Sequence, residues 1–272
     1  MKLILISFFS VSIGMILGRL SGFLREVFIA TNFGAGFDSD FIIILLTAPD
    51  FFVNLLVGGA LSMALIPEFK SLTEEQSKKL YCQALVLSGL VFSSIVLVLI
   101  ICSNFLLKVL APGLVDIISE SNVNLFSLSL VSIPFTVFAG VTTAYLHSKD
   151  KFFIASLGTL IFNVIIILSL QVSLCFYTDE VFSVLAISIV LAAFARFYIF
   201  KRSVKEPFFF ESSFFLIKAS LIKRYVQCVL MGGLFFALPV ILRSFSSAYG
   251  ESEISYVNFA TKIVEFPLGV LI

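Results

Sequence analysis

Three ionisable residues interrupt a segment otherwise suited to hydrocarbon. They are Arg19, Arg25 and Glu26 in GRLSGFLREVFIATNF, which follows an apolar run from Leu3 to Leu17. Each charge near the middle of a membrane costs about 2.5–3.5 kcal/mol on insertion scales. Two arginines against one glutamate also leave a surplus cation. Such a surplus inside a helix bundle suits an anionic ligand. The alternative is an internal Arg–Glu pair that only fixes helix packing.

The positions of these residues on a helix favour a protein-facing cluster. Advancing about 100° per residue from Gly14 puts Gly18, Gly22, Arg25, Glu26 and Arg19 within a sector of about 140°. The opposite sector holds Phe9, Ile13, Ile16, Leu17, Leu20, Phe23, Leu24, Val27 and Phe28. Gly14, Gly18 and Gly22 form a row of small residues that admits another helix at close range. The charges should therefore pack on protein while the apolar side meets lipid.

Two further apolar stretches carry polar groups at the same depth. Asp40, Pro49, Asp50 and Asn54 precede Gly58 and Gly59 in SDFIIILLTAPDFFVNLLVGGALSMALIP. Pro49 removes a backbone hydrogen bond, so a broken helix lining a polar cavity is expected there. Lys262 and Glu265 stand just before Pro267 in NFATKIVEFPLGVLI. Arg243 reads as a residue that snorkels to the outer surface.

The elements that must hold these groups follow from composition. The chain is 60% hydrophobic and 13% charged, with mean hydropathy +1.12. A soluble domain carries about 25% charged residues, so this surface must face lipid. The net charge of +1 comes without a basic tract, which excludes nucleic acid as an evident partner. Cys82, Cys102, Cys175 and Cys228 lie apart, without metal-type spacing, and read as small core hydrophobes. His147, between charged neighbours, reads as a loop residue. No nucleophile–base set, metal cluster or Walker-type loop is evident, so neither an enzyme nor a cofactor is expected. No small-x-small cleavage site ends the first run, which marks it as an uncleaved span.

Spanning takes roughly 20 apolar residues. The fold expected is an all-α polytopic membrane protein of about eight transmembrane helices, near 3–33, 39–66, 81–107, 122–146, 152–174, 181–200, 225–247 and 254–272. An amphipathic interfacial linker, 201–224, separates six spans from the last two. Connections after the second, fourth and sixth spans carry eleven Lys or Arg residues, while the opposite connections carry Lys108 alone. Positive loops stay inside, which makes the N-terminus cytoplasmic. All seven tyrosines fall at or near span ends, as expected of interfacial anchors.

GRLSGFLREVFIATNFGAGFDSDFI, APDFFVNLLVGGALSMALIPEF, AYLHSKDKFFIASLGTLIFNVIII and FATKIVEFPLGVLI together resemble the MurJ/MviN family of lipid II flippases, within the multidrug/oligosaccharidyl-lipid/polysaccharide exporter superfamily. The resemblance implies a fourteen-helix MATE-like fold of two six-helix lobes around a cationic cavity. Residues 1–200 would be the first lobe and 225–272 the first two helices of the second. Because the pattern stops inside a helix, a fragment or truncated product is expected. Arg19 and Arg25 match the family's diphosphate-binding arginines, while Asp40 and Glu265 match its acidic positions. Lys262 stands where an arginine is usual. Two departures concern the second span, where Val53 and Asn54 occupy the place of an expected arginine and Gly58 that of a glutamate; Asp50 adds an anion.

The activity implied is translocation of an undecaprenyl-diphosphate-linked peptidoglycan precursor to the outer leaflet by alternating access in the bacterial inner membrane. Its partners would be the lipid-linked oligosaccharide, membrane lipid and cell-wall synthesis proteins. Other readings are an exporter of another polyprenyl-linked glycan, a multidrug antiporter, or a non-transporting scaffold in cell-wall synthesis. The expected substrate-binding residues are Arg19, Arg25, Glu26, Asp40, Asp50, Asn54, Lys262 and Glu265.

Overall fold

The computed structural model of the chain describes residues 2–56, 60–115, 117–176, 180–204 and 216–271. Every regular element among them is helical. They are α1 (Lys2–Phe33), α2 (Phe37–Leu56), α3 (Ala60–Ser71), α4 (Glu74–Ile101), α5 (Ser103–Leu110) and a 3-10 turn (Pro112–Leu114). There follow α6 (Glu120–Leu130), α7 (Ser132–Ser148), α8 (Phe152–Ser156), α9 (Gly158–Phe176), α10 (Val181–Val204), α11 (Ala219–Ser247) and α12 (Glu253–Leu271).

These helices fall on the apolar windows of the sequence, several windows being divided between two consecutive helices. The all-α membrane bundle is the observed fold. Among the described residues, Glu74–Ile101, Glu120–Ser148, Phe152–Phe176 and Val181–Val204 are long and apolar enough to cross a bilayer. A fifth stretch, in α11, bends by 45° between Ala219–Gly232 and Ala237–Ser247. Pro239 accounts for a bend there, because a proline ring clashes with the carbonyl four residues earlier. Pro49 and Pro267 lie inside α2 and α12 without ending them, so the expected break at Pro49 is not observed. Gly58, Gly59 and the centre of the linker, 205–215, lie outside the described residues.

The packing centre is α7, set between α3, α4 and α10. Its small buried residues Ala139, Gly140, Thr142 and Ala144 permit those close approaches. Around them Phe41, Phe126, Leu130, Ile133 and Phe200 are fully enclosed. Tyr81 and Tyr145 do not act as interfacial anchors. They are buried and stacked with ring centroids 4.6 Å apart, and the Tyr81 hydroxyl pairs with Thr142 Oγ1 at 3.0 Å. Lys201 and Lys149 cover this pair, one on the Tyr81 ring and one on the Tyr145 ring. An aromatic ring already covered by cations and satisfied by a threonine gains nothing from the headgroup region. Of the cysteines, only Cys82 is in the core; Cys102 and Cys175 are exposed, a thiol being tolerable against lipid. His147 is in the last turn of α7 rather than a loop, tilted against the Phe152 ring.

The glycine row of α1 meets α8 and α9. A Cβ at Gly14 would overlap the Ser156 side chain. At Gly18 it would lie 3.2 Å from Thr159 Cβ, and at Gly22 3.3 Å from Asn163 Nδ2. Ser156, Thr159 and Asn163 are themselves about one turn apart, so two helical ridges mesh along one line. Ile13, Ile16, Leu17, Leu20, Leu24 and Val27 remain exposed on the other side, where lipid lies. Phe23 departs from that face and stacks on Phe266 of α12 at 4.4 Å.

Gly14→Leu should force α1 away from α8, at an overpacking cost of about 1–3 kcal/mol. A lowered thermal midpoint in detergent is expected, while Gly36→Leu, whose Cβ has no atom within 4 Å, should leave it unchanged.

Candidate functional site

A polar cavity separates α1, α2, α7, α9 and α10 from α11 and α12. One compartment, of 540 Å³, is bounded by Arg19, Arg25, Asp50, Asn54, Asn163, Arg196, Lys262 and Glu265, with Thr136, Thr159, Phe162 and Phe266. A second, of 450 Å³, adjoins it through Arg25, Asp50, Asn54, Lys262 and Glu265, and reaches Glu26, Thr47, Arg243 and Asn258. Of the expected site residues, only Asp40 is absent from both walls.

The charge in this cavity does not balance. Among the described residues, five cations (Arg19, Arg25, Arg196, Arg243, Lys262) face three carboxylates (Glu26, Asp50, Glu265), an excess of two positive charges. Three of the cations are tied to neighbours. Arg25 is 9% exposed and donates from Nε and Nη2 to Glu26 Oε1, at 3.3 and 2.7 Å. Its Nη1 donates to Asn163 Oδ1 at 2.9 Å. Lys262 pairs with Glu265 at 2.7 Å, one turn along α12. Arg243 donates to Thr47 Oγ1 at 2.8 Å and to Asn258 Oδ1 at 2.6 Å.

Arg19 and Arg196 differ from these three. Neither has a hydrogen bond or ion pair among the described residues, and the Arg196 Nε is buried without a partner. The internal-pair reading therefore describes Arg25 and Glu26 but not Arg19. Asp50 also lacks a hydrogen bond or ion pair among the described residues, and it lines both compartments with Arg25 and Lys262.

The paired groups form one continuous chain. Ser21 accepts from Asn163 Nδ2, Asn163 accepts from Arg25, Arg25 donates to Glu26, and Glu26 Oε2 accepts from Asn258 Nδ2 at 2.7 Å. Asn258 then accepts from Arg243, which donates to Thr47. The chain joins α9, α1, α12, α11 and α2, so it ties the two sides of the cavity together. In a low dielectric each unpaired member would be costly, which makes the chain cooperative.

Asp40 has a different place. At the start of α2 it accepts from Ser252 N and Ser255 N, both at 2.8 Å, and from the Ser255 hydroxyl. Ser39 pairs with the same hydroxyl. The carboxylate thus caps the first turn of α12, where orphan N–H groups and the helix dipole favour an anion. It also stabilises the turn at Ser252, whose φ of 75° is left-handed. Nearby, Ser244 Oγ bonds Val109 O, and Gly113 N bonds Ser247 Oγ. At the opposite end of the bundle Arg224 reaches Glu68 at 3.8 Å and Leu216 N donates to Gln83 Oε1. Contacts therefore join helices of the two sides at both ends of the bundle.

A sequence profile of the family described as lipid II flippase MurJ matches residues 29–272. The chain belongs to the MurJ family. It is 26% identical to the probable lipid II flippase MurJ of Buchnera aphidicola subsp. Schizaphis graminum, over 98% of this chain and 54% of that protein. The corresponding protein of Aquifex aeolicus is 23% identical, over 95% and 52%. The chain thus spans about half the length of the MurJ relatives it matches. In fold it is similar to a lipid II flippase MurJ solved in an inward closed conformation, with TM-score 0.75 and 20% identity over 95% of this chain and 55% of that one. A MATE structure in complex with Br-NRF superposes with TM-score 0.68 at 15% identity, over 97% and 64%.

Two cavity cations escape a sequence reading of the MurJ pattern. Arg243 was expected at the outer surface but turns inward, because Thr47 and Asn258 offer it acceptors. Arg196 interrupts VLAAFARFYIF in mid-helix, the same signal that marks Arg19, but lies only five residues before the basic end of α10. Asn258 and Asn163, the relays of the polar chain, carry no charge to betray them.

Removing the cap is expected to loosen the α2–α12 contact first. In Asp40→Ala, the amides of Ser252 and Ser255 should exchange with deuterium about tenfold faster, in line with loss of an N-cap, while those of α7 keep their rates.

Proposed function

We propose that the protein moves a polyprenyl-diphosphate-linked glycan, of the lipid II kind, across the bacterial inner membrane. The observation that carries this reading is the excess of two positive charges in the cavity, with Arg19 unpaired among the described residues. Arg19 is exposed to the open compartment, and excess positive charge at membrane depth is costly unless water or an anion joins it. A diphosphate supplies the matching charge, and charge-assisted hydrogen bonds replace the water its oxygens lose. The polyprenyl tail would stay in lipid, against the exposed apolar faces of the bundle.

Release follows from the two sets of end contacts. Breaking the Asp40–Ser252/Ser255 cap and the Glu26–Asn258 bond opens one end. Breaking Glu68–Arg224 and Gln83–Leu216 opens the other. Alternating these openings moves the headgroup without covalent chemistry. In this reading the end bearing Lys70, Lys149 and Lys151 is cytoplasmic, by the positive-inside rule, and the headgroup enters there. The cell-wall enzymes that make and consume such lipids are the expected partners.

Cells depleted of their own flippase test the reading. Arg19→Ala is expected to abolish rescue of growth while membrane insertion stays at the unmodified level. Full rescue by that variant would contradict the transport reading.

A further inference from the structure

We infer that Arg196 of α10 is a second phosphate-binding arm of the cavity, acting with Arg19 to select a diphosphate over a monophosphate. The inference rests on the diphosphate reading of the same cavity and adds the residue that discriminates. Neither the family pattern nor the charge reading of α1 singles out this position.

The guanidinium of Arg196 is held as an arm with nothing in its grasp. Its Nε is buried without a hydrogen bond, and no carboxylate lies within ion-pair distance among the described residues. A buried donor left unsatisfied is costly, and protein interiors rarely keep one without a use. The surroundings nonetheless hold the arm in place. Its carbon lies 5.9 Å from the centre of the Phe200 ring. Gly158 leaves the room it occupies, since a Cβ there would stand 3.0 Å from the Arg196 Nε and 2.8 Å from Phe200 Cζ.

Arg19 lines the same compartment from α1. Gly18, its neighbour, packs on Thr159 in the first turn of α9, and Arg196 lies against Gly158 in that turn. The helices that carry the two arginines therefore both pack on the first turn of α9, and both arginines line the 540 Å³ compartment together with Thr159. Arg25, Arg243 and Lys262 already have protein partners. Among the described residues that line the cavity, Arg19 and Arg196 are thus the two cations able to donate to phosphate oxygens without breaking an existing bond. Two planar forks suit two linked phosphates, because each offers paired donors. A monophosphate needs only one of them.

Binding of undecaprenyl diphosphate and undecaprenyl monophosphate to the purified protein, measured by native mass spectrometry, tests this directly. The unmodified protein should prefer the diphosphate. Arg196→Ala should weaken diphosphate binding about tenfold, the scale of one charge-assisted hydrogen bond, and leave the monophosphate within about twofold. Arg196→Lys should restore part of the preference. An Arg196→Ala protein that keeps the unmodified preference overturns the inference while leaving the diphosphate reading intact. If the unmodified protein shows no preference and Arg19→Ala binds both lipids normally, the parent reading falls instead. Should Arg196→Ala lower the thermal midpoint, Gly158→Ala, which keeps the charge but displaces the arm, is read in its place. The same loss of preference is expected, and its retention overturns the inference.

Discussion

A guanidinium inside an apolar slab must be paired, hydrated or occupied by a ligand, and the whole arrangement turns on that constraint. Five cations converge between the two sides of this bundle. Three are tied to carboxylates, amides or a hydroxyl, and two bonds of that network, Arg243–Thr47 and Asn258–Glu26, cross from α11 and α12 to α2 and α1. The same interaction therefore serves two ends. It makes the buried charge tolerable, and it holds the two walls of the cavity against each other. The remaining pair, Arg19 and Arg196, contributes nothing to that cohesion and leaves the cavity positive.

The supporting structure is arranged to make this possible. The glycine row of α1 brings its charged face within reach of α9, so that Asn163 can meet Arg25. Lipid-facing residues occupy the rest of α1, and the tightly packed α7 gives the first six apolar windows a rigid centre. The contacts at the two ends of the bundle are of different kinds. One is a carboxylate capping a helix dipole, the other a longer surface ion pair and an amide bond. Exposed ion pairs contribute little, about 0–1 kcal/mol, so the capped end is the firmer of the two.

Much of this was legible in the chain itself. Apolar run length revealed the helices, and the 100° period placed Arg19, Arg25 and Glu26 on one face. The row of small residues correctly marked the packing line. What failed depends on partners that no local pattern encodes. Tyr81 and Tyr145 were read as anchors because their position along the helix suited a boundary. Their burial comes from α4 and α7 meeting side by side. Asp40 looked like a cavity acid, yet it caps a helix that begins more than two hundred residues later. Arg243 was placed at the surface by its nearness to a helix end, and Arg196 was hidden by the basic residues that follow it.

The most direct measurement is a high-resolution structure of the protein with undecaprenyl diphosphate bound. The two phosphates should lie between the walls of the cavity, within hydrogen-bond distance of the Arg19 guanidinium, with the Arg25–Glu26 pair retained. A headgroup seated elsewhere, with Arg19 paired to a carboxylate in a closed, dry interior, would contradict it.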